Sequence, residues 1–294
     1  MTRHGQDQTK GHLGQRALAT ADQGRSGGRD YRGGRVQVAG QVARAVTWGD
    51  RAYARLPAFR RRVDRALAVI AEAAQIGTIG VSFSAGKDST VLLDLVRQVQ
   101  PAARVAFFDS GCEYPWTYDL VAHYEVETVK PQMSLPEMCR HGGYWGYENP
   151  ADPEAEFDFM GFLVVEPAVR FSVLNDLAVS AIGLRAEESA GRRISLLKRG
   201  ELYWVAERQL WHLCPLAYWR HADIWAYIAH RGLRYNEVYD RMAAFGIPRQ
   251  HWRVSTLLGL SGTSANARLG FLRAVAPDVF WQLAAEFPYI RGFS

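Results

Sequence analysis

The sequence has few cysteines and lacks long hydrophobic runs. Its three cysteines form no CxxC pair, which excludes a disulfide framework and an iron–sulfur or zinc site closed by four cysteines of one chain. The eight histidines show no HxxxH or HExxH spacing, so we expect no zinc site built by the protein alone. No apolar run approaches the roughly 18 residues of a membrane span, and the first residues hold no apolar signal core. We therefore expect a cytoplasmic protein with no iron–sulfur cluster and no membrane contact.

The positive charge of the sequence is concentrated near its start. The whole chain has a net charge of +5, whereas residues 1–65 alone hold 14 Lys and Arg against 5 Asp, a charge of +9. Residues 1–40 are rich in glycine and have no sustained apolar period, so we predict a disordered basic arm there. Such an arm either binds nucleic acid or another polyanion, or is a solvated tail.

A strand, a helix and a second strand are predicted over residues 78–110. The run TIGVSFS (78–84) is short and rich in β-forming residues, and DSTVLLDLVRQV (88–99) places its apolar side chains on one helical face. Pro101 ends that helix, and RVAFFDS (104–110) follows as a second strand. This spacing is typical of a βαβ crossover and predicts a parallel sheet.

The rest of the sequence predicts an α/β fold with a helical C-terminal portion. We interpret YEVETVKP (124–131) and DLAVSAIGLR (176–185) as further strands, and helical patterns return over 222–231 and about 265–286. The stretch 131–162, rich in glycine, proline and aromatic residues, is predicted to be a long loop over one end of the sheet.

A polar segment, SFSAGKDS (82–89), joins the first predicted strand to its helix. In a parallel sheet, ligands bind where strands end and helices begin, because the free N–H groups and dipole of the helix N-terminus favour an anion. Small residues let a phosphate approach the backbone, hydroxyls add donors and a lysine adds charge. The residues that provide these features are Ser82, Ser84, Gly86, Lys87 and Ser89.

This segment differs from other strand-to-helix motifs. A Walker A loop needs glycine where Val81 stands, and Ser or Thr where Asp88 stands. A hydrolase elbow, GxSxG, needs glycine in place of Ser82, and the HGG sequence (141–143) lies downstream rather than upstream. A purely structural turn would leave Lys87 and Asp88 without a role. We retain the hydrolase and the structural turn as the weaker alternatives.

The segment and three later ones resemble the PP-loop ATP pyrophosphatases, a superfamily of adenine nucleotide alpha-hydrolases. SAGKDS (84–89) is similar to their SGGKDS pyrophosphate loop, with Ala85 in place of the second glycine. An alanine there costs little if φ is negative and obstructs the backbone if φ is positive. Three further segments narrow the resemblance to phosphoadenosine phosphosulfate (PAPS) reductases: FFDSGCEYPWTYDLV (107–121), IGLRAEESAGRR (182–193) and CPLAYWRHADIWAYIAHRGLRYNEVYD (214–240).

The resemblance implies a Rossmann-like nucleotide-binding core and a set of site residues. Asp109 and Ser110 would lie beside the nucleotide. Arg185 and Arg192 would neutralise phosphate oxygens, for which a planar guanidinium suits bidentate contact. Glu188 would hold one of these arginines or a Mg²⁺ ion. The residues that would hold phosphate or sulfate are Ser82, Ser84, Gly86, Lys87, Asp88 and Ser89.

The resemblance fails at the thiol that the reductases use. Those enzymes attack the sulfonucleotide with a cysteine in a C-terminal E-C-G-[IL]-H motif, whereas this sequence ends FPYIRGFS and its last cysteine is Cys214. The branch with a four-iron cluster needs four cysteines, and this sequence has three. Cys112, just after Asp109, is the one candidate to replace the nucleophile; the alternative is that it occupies a variable position. Cys139 has no assigned role.

The superfamily's general chemistry is then the expected one. ATP would bind with Mg²⁺, which Asp88 or Glu188 would hold, and an acceptor oxygen would attack the α-phosphorus as pyrophosphate leaves. Lys87, Asp88 and Arg185 are the candidate catalytic residues. The adenylated acceptor would then take up sulfur or nitrogen, in sulfur transfer or a phosphorothioation-like modification of nucleic acid. The alternatives are a sulfonucleotide reductase with a displaced cysteine and a non-catalytic, nucleotide-sensing partner subunit.

These inferences divide the chain into four parts. They are a disordered basic arm (1–40), a helical lead-in (41–75), a PP-loop, PAPS reductase-like domain (76–240) and a helical C-terminal extension (241–294). The expected partners are an adenine nucleotide, a partner protein or sulfur donor, and nucleic acid through the basic arm.

Overall fold

The computed structural model of the chain describes residues 44–254 and 263–292. The predicted basic arm lies outside these residues. Within the described ranges, no helix is both long enough and apolar enough to cross a membrane.

Six strands and eleven α-helices make up the described part of the chain. The strands are β1 (Ile79–Ser82), β2 (Arg104–Phe108), β3 (Glu127–Val129), β4 (Val179–Ala181), β5 (Leu202–Val205) and β6 (Leu210–Leu213). The helices are α1 (Trp48–Tyr53), α2 (Pro57–Ile76), α3 (Lys87–Val99), α4 (Pro115–His123), α5 (Leu135–Gly142), α6 (Glu166–Leu174), α7 (Ala190–Arg199), α8 (His221–Arg231), α9 (Val238–Ala244), α10 (Thr263–Val275) and α11 (Pro277–Glu286).

The strands form one sheet in the order β3-β2-β1-β4-β6-β5. β1 pairs in parallel with β2 and β4, β2 with β3, and β4 with β6, whereas β5 pairs antiparallel with β6. The predicted α/β fold with a parallel sheet is therefore confirmed. Because β2, β1 and β4 are neighbours that run in one direction, the loops that follow them open at the same edge of the sheet.

Burial explains why the predicted βαβ unit forms. Ile79 and Val81 of β1 are almost fully buried, as are Leu92, Leu95 and Val96 on one face of α3. Burying a side chain of this size contributes about 1.5–3 kcal/mol. The strand and the helix therefore pack onto one core, and this packing fixes the polar loop between them at the sheet edge.

The structure corrects two of the predicted elements. The stretch 131–162, predicted as a loop, contains α5, whose N-terminus is fixed by a capping box: the Glu137 N–H donates to Ser134 Oγ at 3.4 Å, and the Ser134 N–H donates to the Glu137 carboxylate at 2.7 Å. The helix predicted over about 265–286 is interrupted before Pro277, because a proline inside a helix cannot donate its backbone hydrogen bond.

Candidate functional site

The loop after β1 is held in shape by its own hydroxyl and backbone groups. The Ser84 N–H donates to Ser89 Oγ at 3.1 Å, and Ser89 Oγ donates to the Gly86 carbonyl at 3.0 Å. The Lys87 N–H donates to the hydroxyl of Tyr239 at 3.0 Å. α3 then begins at Lys87, and its N-cap residue, Gly86, has no side chain that could accept the N–H groups that follow. A helix N-terminus in this state retains backbone donors for an anion.

Ala85 has a left-handed backbone conformation, which a glycine would adopt easily. It stands where the SGGKDS loop has its second glycine. Its φ is +53° and its side chain is fully buried. Left-handed backbone costs a residue with a Cβ about 1–2 kcal/mol. The loop therefore holds a strained residue between Ser82, which ends β1 half-buried, and the start of α3, as is common where a backbone surrounds a ligand.

Two buried cations meet at one carboxylate beside this loop. Lys87 Nζ lies 2.7 Å from Asp88 Oδ2, and Arg185 Nε lies 2.6 Å from Asp88 Oδ1. The side chains of Lys87 and Arg185 are each 3% exposed. Burial alone would raise the pKa of Asp88, but the charges of Lys87 and Arg185 and their hydrogen bonds hold it below its ordinary value. The structure thus brings together two predicted phosphate ligands from different loops.

The loop after β4 and the first turn of α7 carry the remaining charged residues of the cluster. Glu188 accepts a hydrogen bond from the Arg185 N–H at 3.2 Å and pairs with the guanidinium of Arg192. Arg185 Nη1 also lies 2.7 Å from Glu187 Oε2. Glu188 therefore contacts both predicted arginines. With Lys87 and Asp88, the cluster has three cations and three carboxylates, so its formal charge is balanced.

Asp109 and Ser110 lie at the end of β2, the strand next to β1. Asp109 Oδ1 accepts hydrogen bonds from the Gly111 N–H and from the hydroxyl of Tyr118, both at 2.9 Å. Ser110 Oγ donates to Glu113 Oε1 at 2.7 Å. These contacts orient both side chains within their own loop. The sheet topology places this loop at the same edge as Lys87.

Three residues that support the cluster were not among the predicted site residues. The His221 N–H donates to Glu187 Oε2 at 2.6 Å, and the indole N–H of Trp225 donates to His221 Nε2 at 2.8 Å. Tyr239, which holds the Lys87 N–H, is fully buried against Trp225 and Trp252. A signal for all three was available, because His221, Trp225 and Tyr239 lie in the segment 214–240, the last of the four segments that resemble the family.

All three cysteines are buried. Cys112 is 4% exposed, and Cys139 and Cys214 are fully buried. Burial raises the pKa of Cys214 to about 12 and raises that of Cys139 as well. Cys112 lines a cavity of about 350 Å³ between the β2–α4 loop and α11. A raised pKa disfavours the thiolate, which is the nucleophilic form.

No group of three or more His, Cys, Asp or Glu within the described ranges is arranged to hold a metal ion. Asp88 and Glu188, the two predicted magnesium ligands, both contact arginines instead. Mg²⁺ in nucleotide enzymes usually takes one or two carboxylates and completes its shell with phosphate oxygens and water. The donors present are of the type that such an ion needs.

The mostly parallel sheet carries a polar loop after β1, Arg185 in the loop after β4 and Arg192 at the start of α7. Residues 78–245 match the family described as the phosphoadenosine phosphosulfate reductase domain. The chain belongs to this family.

Several known proteins are similar to the chain. An adenosine 5'-phosphosulfate reductase of Geobacillus kaustophilus is 28% identical over 166 residues, which cover 54% of this chain and 66% of that protein. One of Staphylococcus epidermidis is 27% identical over 168 residues, 54% of this chain and 64% of that protein. The crystal structure of PAPS reductase from Candida auris, a phosphate complex, is 22% identical, covers 58% of this chain and 84% of that chain, and has a TM-score of 0.45. The chain spans slightly less than two thirds of the length of these two adenosine 5'-phosphosulfate reductases.

Proposed function

We propose that the chain binds ATP and cleaves it between the α- and β-phosphates to adenylate an acceptor. The observation that carries this proposal is the buried pair Lys87 and Arg185, which meets at Asp88 beside the N-terminus of α3, where the N-cap residue is Gly86. Buried cations are costly unless they are paired or meet an anionic ligand. These cations pair with Asp88; a polyphosphate would replace that carboxylate as a partner and would also accept hydrogen bonds from the free N–H groups of the helix.

The chemistry follows from these donors. An acceptor oxygen attacks the α-phosphorus, the bond from the α-phosphorus to the bridging oxygen breaks, and pyrophosphate leaves with the electron pair. Lys87, Arg185 and the α3 N-terminus would stabilise the charge that develops on that leaving group. Asp88 and Glu188 would hold Mg²⁺, which supplies further positive charge at the phosphate oxygens. The acceptor class proposed is one that later receives sulfur or nitrogen, including nucleic acid.

The buried cysteines support adenylation over sulfonucleotide reduction. Reduction needs a thiolate that attacks sulfur, and burial raises the pKa of both Cys139 and Cys214. A second candidate function, reduction that uses Cys112, is favoured by one observation. Cys112 lines the cavity of about 350 Å³ together with Tyr118, whose hydroxyl donates to Asp109.

Titration calorimetry with ATP, with and without Mg²⁺, tests the proposal against adenosine 5'-phosphosulfate and PAPS. We expect ATP with Mg²⁺ to bind, and Lys87→Ala to slow turnover of ATP roughly 30- to 1000-fold, since one charge-assisted contact in a transition state contributes about 2–4 kcal/mol. Lys198→Ala is the matched control, because Lys198 is an exposed lysine near the end of α7.

Two results would count against this function. Unchanged ATP turnover in Lys87→Ala would show that the loop does not act on phosphate. Sulfite release from a sulfonucleotide with thioredoxin, abolished in Cys112→Ser, would favour the reductase instead.

A further inference from the structure

His221, the first residue of α8, lies against the charged cluster but belongs to none of the segments assigned to phosphate. Its backbone N–H donates to Glu187 Oε2 at 2.6 Å, and the same oxygen lies 2.7 Å from Arg185 Nη1. Its ring contacts Trp225. The ring of Trp225 packs on that of Tyr239, with 5.2 Å between the ring centroids, and the Tyr239 hydroxyl accepts the hydrogen bond from the Lys87 N–H. The imidazole is therefore linked through Trp225 to the residue that holds the loop.

The hydrogen bond from Trp225 fixes which ring nitrogen of His221 carries the proton. An indole N–H only donates, so His221 Nε2, at 2.8 Å from Trp225 Nε1, must accept. The proton of the neutral ring then lies on Nδ1. Within the described residues, no group accepts a hydrogen bond from this Nδ1–H. The ring thus presents one neutral donor that none of the described residues uses.

The electrostatic surroundings keep this ring neutral. Burial and the nearby charges of Lys87, Arg185 and Arg249 lower the pKa of His221 to about 4, whereas Asp88 acts in the opposite direction. At neutral pH the ring is therefore a neutral donor placed among cations. A neutral donor can make a directional hydrogen bond to an anion. It does so without adding a positive charge that would repel Lys87 and Arg185.

We propose that the Nδ1–H of His221 donates a hydrogen bond to a phosphate oxygen of the bound nucleotide. This inference rests on the proposed function, since it concerns the same site. The ligand chemistry is a di- or triphosphate whose oxygens lie within reach of Lys87 and Arg185. The indole of Trp225 is a positioning group, because it fixes the tautomer without touching the ligand.

Two substitutions of His221 separate the two ring nitrogens. In His221→Gln the side-chain amide can still accept from Trp225 but no longer offers a donor at the Nδ1 position. In His221→Asn the amide N–H replaces the Nδ1–H, while the Trp225 indole loses its acceptor. Calorimetry with ATP and with inorganic pyrophosphate, and the melting temperature Tm without ligand, are measured for the parent and for both variants.

We expect His221→Gln to weaken ATP affinity about 3- to 10-fold, as for loss of one neutral hydrogen bond, with Tm close to that of the parent. We expect His221→Asn to keep its affinity within about 2-fold but to lower Tm by several degrees, because a buried indole N–H is left unpaired. Parent affinity in His221→Gln, or parallel losses of affinity and Tm in both variants, would overturn the inference.

The pyrophosphate titrations keep this inference separate from the proposed function. If the parent fails to bind ATP, yet the two variants differ as expected for pyrophosphate, then adenylation fails and the His221 contact stands. If the parent binds ATP but the variants do not differ with either ligand, the contact is wrong and adenylation is unaffected.

Discussion

At the scale of single residues, the cluster is notable for how it satisfies buried charge. Lys87 and Arg185 are each 3% exposed, and both pair with Asp88. Removing one partner of a buried pair usually costs 3–5 kcal/mol, because it leaves an uncompensated charge. Asp88 has two cations, so it would keep one of them if the other turned toward the proposed ligand. The site would then exchange partners without leaving any charge unpaired.

Ala85 and Gly86 are neighbours with opposite requirements, which a pair of substitutions tests. Ala85→Gly should stabilise the protein by up to about 1 kcal/mol, because relief of the positive φ outweighs the added freedom of the unfolded chain. Gly86→Ala should destabilise it by about 1–3 kcal/mol, since the new Cβ would lie 3.0 Å from Val254 Cγ2 and 3.2 Å from Ser84 Oγ. Urea unfolding of both variants checks the two signs; a destabilised Ala85→Gly would contradict the strain argument.

At the scale of elements, the local sequence pattern predicted the structure correctly where it depends on one continuous segment. The run from β1 to β2 alternates short apolar strands with one amphipathic helix, so its spacing alone predicted a parallel unit. The turn between β5 and β6 passes through Gln209 at φ of +49°, and glutamine is not a residue that signals a hairpin. No local pattern in the sequence therefore predicts this antiparallel pair.

Contacts between distant segments were beyond the reach of local pattern. Arg185 and Asp88 are 97 positions apart, and Lys87 and Tyr239 are 152 apart. The family resemblance predicted Arg185 as a phosphate ligand. Its pairing with Asp88 depends on the fact that β1 and β4 are neighbours in the sheet. The proposed role of His221 also depends on the tautomer that Trp225 imposes; the two residues are four positions apart on α8, so they are neighbours, but this spacing does not show which ring nitrogen accepts the hydrogen bond.

Helix α5 tests the capping argument directly. Ser134→Ala removes the side chain that accepts from the Glu137 N–H, and we expect a loss of about 1 kcal/mol in the free energy of unfolding. Ser172→Ala is the control, because Ser172 Oγ donates to the Ala168 carbonyl inside α6 and caps no helix end. Equal effects of the two substitutions on urea midpoints would contradict a capping role for Ser134.

At the scale of the whole molecule, buried neutral histidines link stability to pH. Burial, with nearby arginines, lowers the pKa of His212 and of His221 from 6.5 to about 4. The unfolded chain binds more protons than the folded chain between these values, so stability is present above pH 6.5 and falls as the pH approaches 4. At pH 5 we expect each histidine to cost about 1–2 kcal/mol relative to pH 7.

Melting curves at pH 7, 6 and 5 measure this dependence. Tm should fall across the series, and the double variant His212→Gln with His221→Gln should show a flatter dependence, because glutamine does not titrate. A double variant with the pH dependence of the parent would show that other groups control acid stability.

The loops after β1, β2 and β4 lie at one edge of the sheet. We propose that the residues at this edge break the bond between the α- and β-phosphates of ATP. The most direct measurement is ³¹P NMR of the products formed from ATP and Mg²⁺ by the parent and by Lys87→Ala. We expect AMP, or an adenylate, together with pyrophosphate in the parent, and strongly reduced amounts of both in Lys87→Ala. ADP and inorganic phosphate as the products, formed at equal rates by the two proteins, would contradict the account.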